Sequence, residues 1–205
     1  MSRTLIVPIV EGHGEQAAVP LLIRRIWIEI LGSPGAIEVL APIRQPRGRL
    51  VSKPAELERA VGLAGHKLAA RTAQGDQQAV LLLLDGDDDP ACTLAPELLR
   101  VLSAAASGRA TACVLAVVEY ETWFVGAARS LASRFAPGVI VEDVDDPEGR
   151  RLRKKWVADR LPGRRYSESL DQPALTTLMD LKACRVRCPS FDKLCREISR
   201  FARRP

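Results

Sequence analysis

The sequence lacks several features that would have fixed its class at once. No apolar run approaches the ~18 residues of a membrane-spanning helix. The opening stretch, MSRTLIVPIVEGHGE, turns acidic too soon for a signal peptide. A soluble, cytoplasmic protein is therefore expected. Five cysteines, Cys92, Cys113, Cys184, Cys188 and Cys195, are odd in number and irregularly spaced, which suits reduced thiols. Cys184, Cys188 and Cys195 match no standard zinc finger, and only His13 and His66 exist to complete such a site. The stretch EGHGE carries G-x-G without the GK[ST] of a phosphate-binding P-loop, which argues against that type of nucleotide hydrolysis. There is no G-x-S-x-G, no Cys–His pair in a persuasive context, no internal repeat and no low-complexity segment.

What is present is a globular chain with segregated charge. Hydrophobic residues make up 47% of the 205, enough for a core. The net charge is +5, but its distribution says more. Arg150, Arg151, Arg153, Lys154, Lys155, Arg160, Arg164 and Arg165 stand against the single acid Asp159, and the last stretch is also basic. Acids cluster instead in the first two-thirds. Such segregation suits a polyanion held by the cations, with acids left to hold metal. Solvated helix faces account for basic runs equally well.

Four apolar runs read as strands: TLIVPIV (4–10), IEVLAPI (37–43), AVLLLLD (79–85) and ACVLAVV (112–118). The last two are nearly continuous hydrophobics, as in strands buried on both faces of a parallel sheet. Helix-compatible stretches, 15–31, 54–73 and 94–106, lie between them. The pattern predicts an α/β domain with a mainly parallel four-stranded sheet and helices on both faces. Pro, Gly and acids near 136–150 mark a boundary, giving a sheet domain over 1–135 and a basic helical region over 136–205. In that region Asp171 is a candidate helix cap with Pro173 in the first turn. Phe191, Leu194, Cys195, Ile198 and Phe201 form a stripe at helical spacing, expected to pack on the sheet domain.

Ligands of open α/β sheets bind beyond the carboxyl ends of the strands, and three of the four runs end in carboxylates. The first ends at Glu11, with Glu15 a turn later; the third ends in Asp85, Asp87, Asp88 and Asp89; the fourth is followed by Glu119 and Glu121. An extended backbone sends alternate side chains to one side, so Asp85, Asp87 and Asp89 face together, as do Glu119 and Glu121, with Tyr120 opposite. Four acids within five positions repel one another, and either a cation or an exposed, solvated turn relieves them. Oxygen-only ligands suit Mg²⁺ or Mn²⁺, one ion or two. A carboxylate not spent as ligand, with Glu11 the candidate, can serve as general acid or base.

Glu-Gly after the first strand and Asp-x-Asp after the third, in a β-α repeat, resemble the Toprim (Rossmann-like) fold of topoisomerases, primases and OLD-type nucleases. More narrowly, VEGHGE, LLLLDGDDD, EYETWF, YSESLDQPAL, LMDL and CPSFDKL together resemble the DUF4276 family of small Toprim-like bacterial proteins. The resemblance implies a metal site of Glu11, Asp85 and Asp87, with Glu15, Glu119 and Glu121 matching further family acids and the last two open to a second metal. A topoisomerase is excluded, because the chain has no room for a separate domain bearing an attacking tyrosine. By analogy with OLD-type proteins, an ABC-type ATPase partner and a role in phage defence are implied.

The expected function is a Mg²⁺- or Mn²⁺-dependent nuclease. Glu11, Asp85, Asp87 and Lys154 form its catalytic group, with Lys154 on the scissile phosphate. The metal set is Glu11, Glu15, Asp85, Asp87, Asp89, Glu119 and Glu121, and Arg150, Arg151, Arg153, Lys154, Lys155, Arg164 and Arg165 hold DNA or RNA. A homodimer is compatible with the sequence, and no membrane partner is expected. Two rivals stand: a non-catalytic metal- or nucleic-acid-binding subunit, and a small-molecule phosphotransferase or phosphatase. Trp123 reads as core in preference to a base-stacking platform, and His13 as a turn residue. Asp171, Asp180 and Ser190 read as caps and local hydrogen-bonding groups.

Overall fold

The computed structural model describes residues 3–32, 35–149, 153–163 and 165–202, without the side chain of Arg153. Its centre is a sheet in which every pairing is parallel. Strand β1 (Arg3–Val10) lies beside β4 (Gln77–Asp85), which pairs in turn with β5 (Ala110–Ala116). On the other side of β1 run β2 (Ala36–Val39) and β3 (Ile43–Arg44), so the sheet has five strands where four were expected.

The fifth strand comes from a break. The run expected as one strand over 37–43 pairs first with Arg3–Ile6 and again with Ile9 and Val10. Leu40 N–H donates to the Ile6 carbonyl at 2.9 Å. In a parallel ladder the next donor back toward this strand would be residue 8, which is Pro8 and has no N–H. Pro42 likewise offers none, so the ladder lapses and resumes at Ile43.

Side chains of each strand alternate between two apolar layers. On one face Ile6, Val10, Leu81, Leu83, Ala112 and Val114 meet α1 (His13–Arg25), its π-helical extension (Ile26–Ile30), α7 (Glu168–Leu178), α8 (Leu181–Arg187) and α9 (Pro189–Ala202). On the other, Leu5, Val7, Leu82, Leu84 and Leu115 meet α2 (Arg47–Ser52), α3 (Pro54–Ala69) and α4 (Ala91–Ala105). The α9 stripe Phe191, Leu194, Cys195, Ile198 and Phe201 is buried in the first layer. Helix α7 begins a turn earlier than expected, with Ser167 at the cap. Asp171 instead reaches back to accept the Ser167 N–H at 2.7 Å, and Pro173 lies in the helix interior. Asp180 caps α8, accepting from Lys182 and Ala183.

Because all strands run one way, the ends of β1, β4 and β5 open onto a single edge. A close approach secures it. A side chain at Gly86 would place its Cβ 2.9 Å from the Ala116 carbonyl, which the Gly86 N–H meets at 2.7 Å. Only glycine lets the two loops lie so near.

Candidate metal centre at the carboxyl edge

Glu11 leaves β1, Glu15 sits in the first turn of α1, and Asp85 is the last residue of β4. Each offers a carboxylate oxygen, and the three oxygens lie within 4.8 Å of one another, the one such group of His, Cys, Asp or Glu among the described residues. Their positions are fixed by backbone donors. Glu15 accepts the N–H groups of Gly12 at 2.9 Å and Glu11 at 3.0 Å, closing the start of α1 as a capping residue does. Glu11 accepts the Asp85 N–H at 2.6 Å, and Asp85 accepts the Tyr120 N–H at 2.7 Å. The turns around β1, β4 and β5 are thus stitched together through the acids themselves.

A fourth acid stands behind them. Glu121, at the start of α5 (Glu121–Gly126), is fully buried. One of its oxygens accepts the Tyr166 hydroxyl at 2.6 Å and the Gln172 amide at 3.0 Å; the other, Oε2, is buried and among the described residues has no hydrogen-bond partner. A side chain on Gly14 would strike the Gln172 amide oxygen at 2.1 Å, so glycine is what lets α7 bring Gln172 against α1.

Burial and mutual repulsion push these acids toward the protonated form. Burial raises Glu11 against the opposing Asp85 N–H bond; burial first, then repulsion from Glu11 and Glu121, pushes Glu15 up to about 7 against its backbone N–H bonds. Asp85 is raised well above the usual aspartate range, by burial first and then by Glu15, Glu11 and Glu121. Burial raises Glu121 too, against its bonds from Tyr166 and Gln172. A group of acids that resists ionisation together, with a buried oxygen left over, fits a hard divalent cation.

The other expected acids stand differently. Asp87 does not continue the strand: its φ of 48° turns the chain, and its N–H meets the Val118 carbonyl at 2.8 Å. Val118 itself has a φ of 63°, unusual for a β-branched residue. Two non-glycine residues in left-handed conformation thus face each other across this edge, a strain that persists only where the surroundings dictate it. Asp87 and Asp89 both pair with Arg47, the first residue of α2, at 3.3 Å for Asp87. β5 ends at Ala116 and Glu121 already lies in a helix, so Glu119 and Glu121 do not alternate along a strand as expected. Glu119 accepts the backbone N–H of Lys154.

That bond sets α6 (Arg153–Ala158) against the acidic edge. Lys154 Nζ binds Glu168 at 2.6 Å. Burial pulls its pKa down, but Glu168, Glu121 and Glu119 outweigh burial and leave it raised. Lys155 pairs with Asp159 at 2.7 Å, and Arg165 is exposed. Arg150, Arg151, Arg164 and the side chain of Arg153 lie outside the described residues.

Trp123 is fully buried, its ring 5.3 Å from Phe191 and its N–H on Ser190 at 2.9 Å, so it is core. The Tyr120 ring is also core, but its backbone N–H belongs to the site. Cys184 on α8, Cys188 at its end and Cys195 on α9 are free thiols buried in the core, while His13 and His66 are exposed. Arg47, Tyr166, Gln172 and the Tyr120 N–H are the parts that sequence reasoning did not place in the site.

A family model described as a domain of unknown function (DUF4276) matches residues 10–199. No curated protein matches the chain. The C-terminal region of the Burkholderia pseudomallei OLD protein is similar in structure, with a TM-score of 0.45 and 15% identity, over 98% of this chain and 99% of that one. No helix among the described residues is long and apolar enough to cross a membrane.

Proposed function

The chain belongs to the DUF4276 family, and on that footing we propose that it is a divalent-metal-dependent phosphodiesterase acting on nucleic acid. The observation that carries the reading is the convergence of Glu11, Glu15 and Asp85 in front of a buried Glu121 whose Oε2 has no hydrogen-bond partner among the described residues. Carboxylates alone favour Mg²⁺ or Mn²⁺ over softer metals. Glu15 and Asp85, with Glu11 at the mouth, are the residues that would hold the ion. Such an ion would supply charge to bind phosphate oxygens and polarise them toward attack.

The chain's own groups supply the rest. The hydrolysis forms a bond from water to phosphorus and breaks one to the leaving oxygen. Glu11, just past the end of β1, is assigned the proton released by the water; its raised pKa suits it as a base. Lys154, held beside Glu119, Glu121 and Glu168, brings a positive charge to where the phosphate sits. Helix α6 is tied to this edge through the Lys154 N–H, and the basic residues from 150 to 165 are assigned the strand on either side. The Toprim-like motifs add an ABC-type ATPase partner and phage defence to this reading as proposals resting on that resemblance alone.

The test is cleavage of plasmid and structured RNA with Mg²⁺ or Mn²⁺, with and without a neighbouring ATPase. Wild type is expected to cut, and Glu11→Gln and Asp85→Asn to be inert. Substituting Arg164 and Arg165 by Ala should flatten the salt dependence of binding by about one unit for each phosphate that an arginine no longer neutralises. A silent wild type under all conditions returns the protein to a non-catalytic binding role; cutting that survives both acid substitutions refutes the site.

A further inference from the structure

The acidic loop after β4 already contains its own cation. Arg47 enters from α2 with its side chain only 15% exposed, and among the described residues its guanidinium makes its hydrogen bonds and ion pairs to that loop. Nε donates to the Asp85 carbonyl at 2.9 Å and lies 3.3 Å from Asp87; Nη2 donates to the Gly86 carbonyl at 3.2 Å and to the Asp89 carboxylate. The carboxylates of Asp87 and Asp89, 62% and 47% exposed, therefore lean outward onto a fixed fork. Inward, Glu11, Glu15 and Asp85 gather their oxygens. Glu15 and Asp85 are tied to backbone N–H groups and, among the described residues, have no such ion pair.

We propose that Arg47 is a positioning residue that divides the edge into two sets of acids, taking Asp87 and Asp89 for itself and leaving Glu11, Glu15 and Asp85 as the ion-binding group. The division rests on the metal reading given above and sharpens it, because it states which members of the DGDDD run touch the ion. The geometry explains the division. A guanidinium presents donors in a rigid plane. With Nε and Nη2 anchored on the carbonyls of Asp85 and Gly86, the same plane meets the two carboxylates that follow, while the left-handed turn at Asp87 carries its side chain toward Arg47. Arg47 also lies close enough to Glu11 to favour its ionised form. A lysine, with one point charge and no fork, cannot hold both carbonyls and both carboxylates at once.

The experiment is Mn²⁺ titration of the full chain, followed by calorimetry and by the loss of the free-ion electron paramagnetic signal, so no activity is needed. Asp87→Asn and Asp89→Asn are each expected to bind Mn²⁺ within about twofold of wild type, whereas Asp85→Asn loses the ion. In an Arg47→Ala background the released Asp87 joins the ion, so Asp87→Asn there should weaken binding by about tenfold, a coupling that loss of packing alone does not produce. If Asp87→Asn abolishes binding with Arg47 present, as Asp85→Asn does, the division is wrong. If the effect of Asp87→Asn is the same with and without Arg47, it is also wrong. Should Arg47→Ala fail to fold, the single Asp87→Asn variant still decides. A wild type that takes up no Mn²⁺ overturns the metal reading itself, an outcome distinct from either of the others.

Discussion

Strand β4 is flanked by two aspartates whose surroundings push them in opposite directions. Asp76, just before the strand, accepts the Ala73 N–H at 2.8 Å and pairs with Arg3 at 3.0 Å, and these contacts hold its carboxyl below the usual aspartate range. Asp85, at the other end, is half-buried close to Glu11, Glu15 and Glu121 and is raised well above that range. One strand thus carries a satisfied acid at its start and an unsatisfied one at its end. The first needs nothing further from solution. The second crowds acids together, a repulsion that costs stability and that a bound cation would relieve, as an ion pair already does at the first.

The largest effect should come from breaking the second end. Mn²⁺ at about a hundred times its dissociation constant should raise wild-type stability by about 2.7 kcal/mol through mass action. Asp85→Asn should erase that gain in a thermal melt, while leaving the metal-free protein as stable as wild type or more so, because a buried repulsion has gone. A metal response that persists in this variant removes Asp85 from the site.

Acidity should separate the two ends next. Glu15, with a folded pKa near 7 against an ordinary 4.5, binds its proton more tightly in the folded state. Its contribution is fully present below about pH 4.5 and is lost as pH rises through about 7; Asp85 and Glu121, also raised, act in the same sense. The metal-free protein should therefore melt at a higher temperature at pH 5 than at pH 8. Asp76, lowered, works the other way, and its contribution is lost only as pH falls below 3.8. Saturating Mn²⁺ should flatten or reverse the slope between pH 5 and 8, and melts over that range check both arms.

Smaller changes sharpen the contrast. Glu121→Gln keeps the bulk but removes a buried charge behind the ion, and should weaken Mn²⁺ binding by about tenfold while leaving the fold intact; an unchanged affinity would make Glu121 purely structural. Smallest of all, Arg3→Ala removes the partly exposed pairs with Asp76 and Glu38 at the satisfied end, and should lower the midpoint of a denaturant melt only slightly, with no effect on Mn²⁺ binding.

Much of this was legible in the chain. The apolar runs located β1, β4 and β5, and the carboxylates closing them pointed to one edge, because a parallel sheet puts all strand ends together. Pro8 and Pro42 carried the signal for the split of the second strand, but only the pairing partner shows which missing N–H matters. Asp87 and Asp89 could not be separated from Asp85 by alternation, since the alternation stops where Asp87 turns left-handed. Arg47 was invisible for a different reason. It sits 38 residues before Asp85 in a stretch with other arginines, and nothing local tells which of them the fold will bring back onto the acids. Tyr166 and Gln172 share that difficulty, reaching Glu121 from 45 and 51 residues away.

The central claim, that the carboxyl edge takes a divalent ion and the rest of the molecule does not, is tested most directly by diffraction at the manganese absorption edge from crystals soaked in Mn²⁺. The account expects an anomalous peak bonded by Glu11, Glu15 and Asp85, with Asp87 and Asp89 still on Arg47. A peak at Asp76, at the buried cysteines, or nowhere in the protein would contradict it.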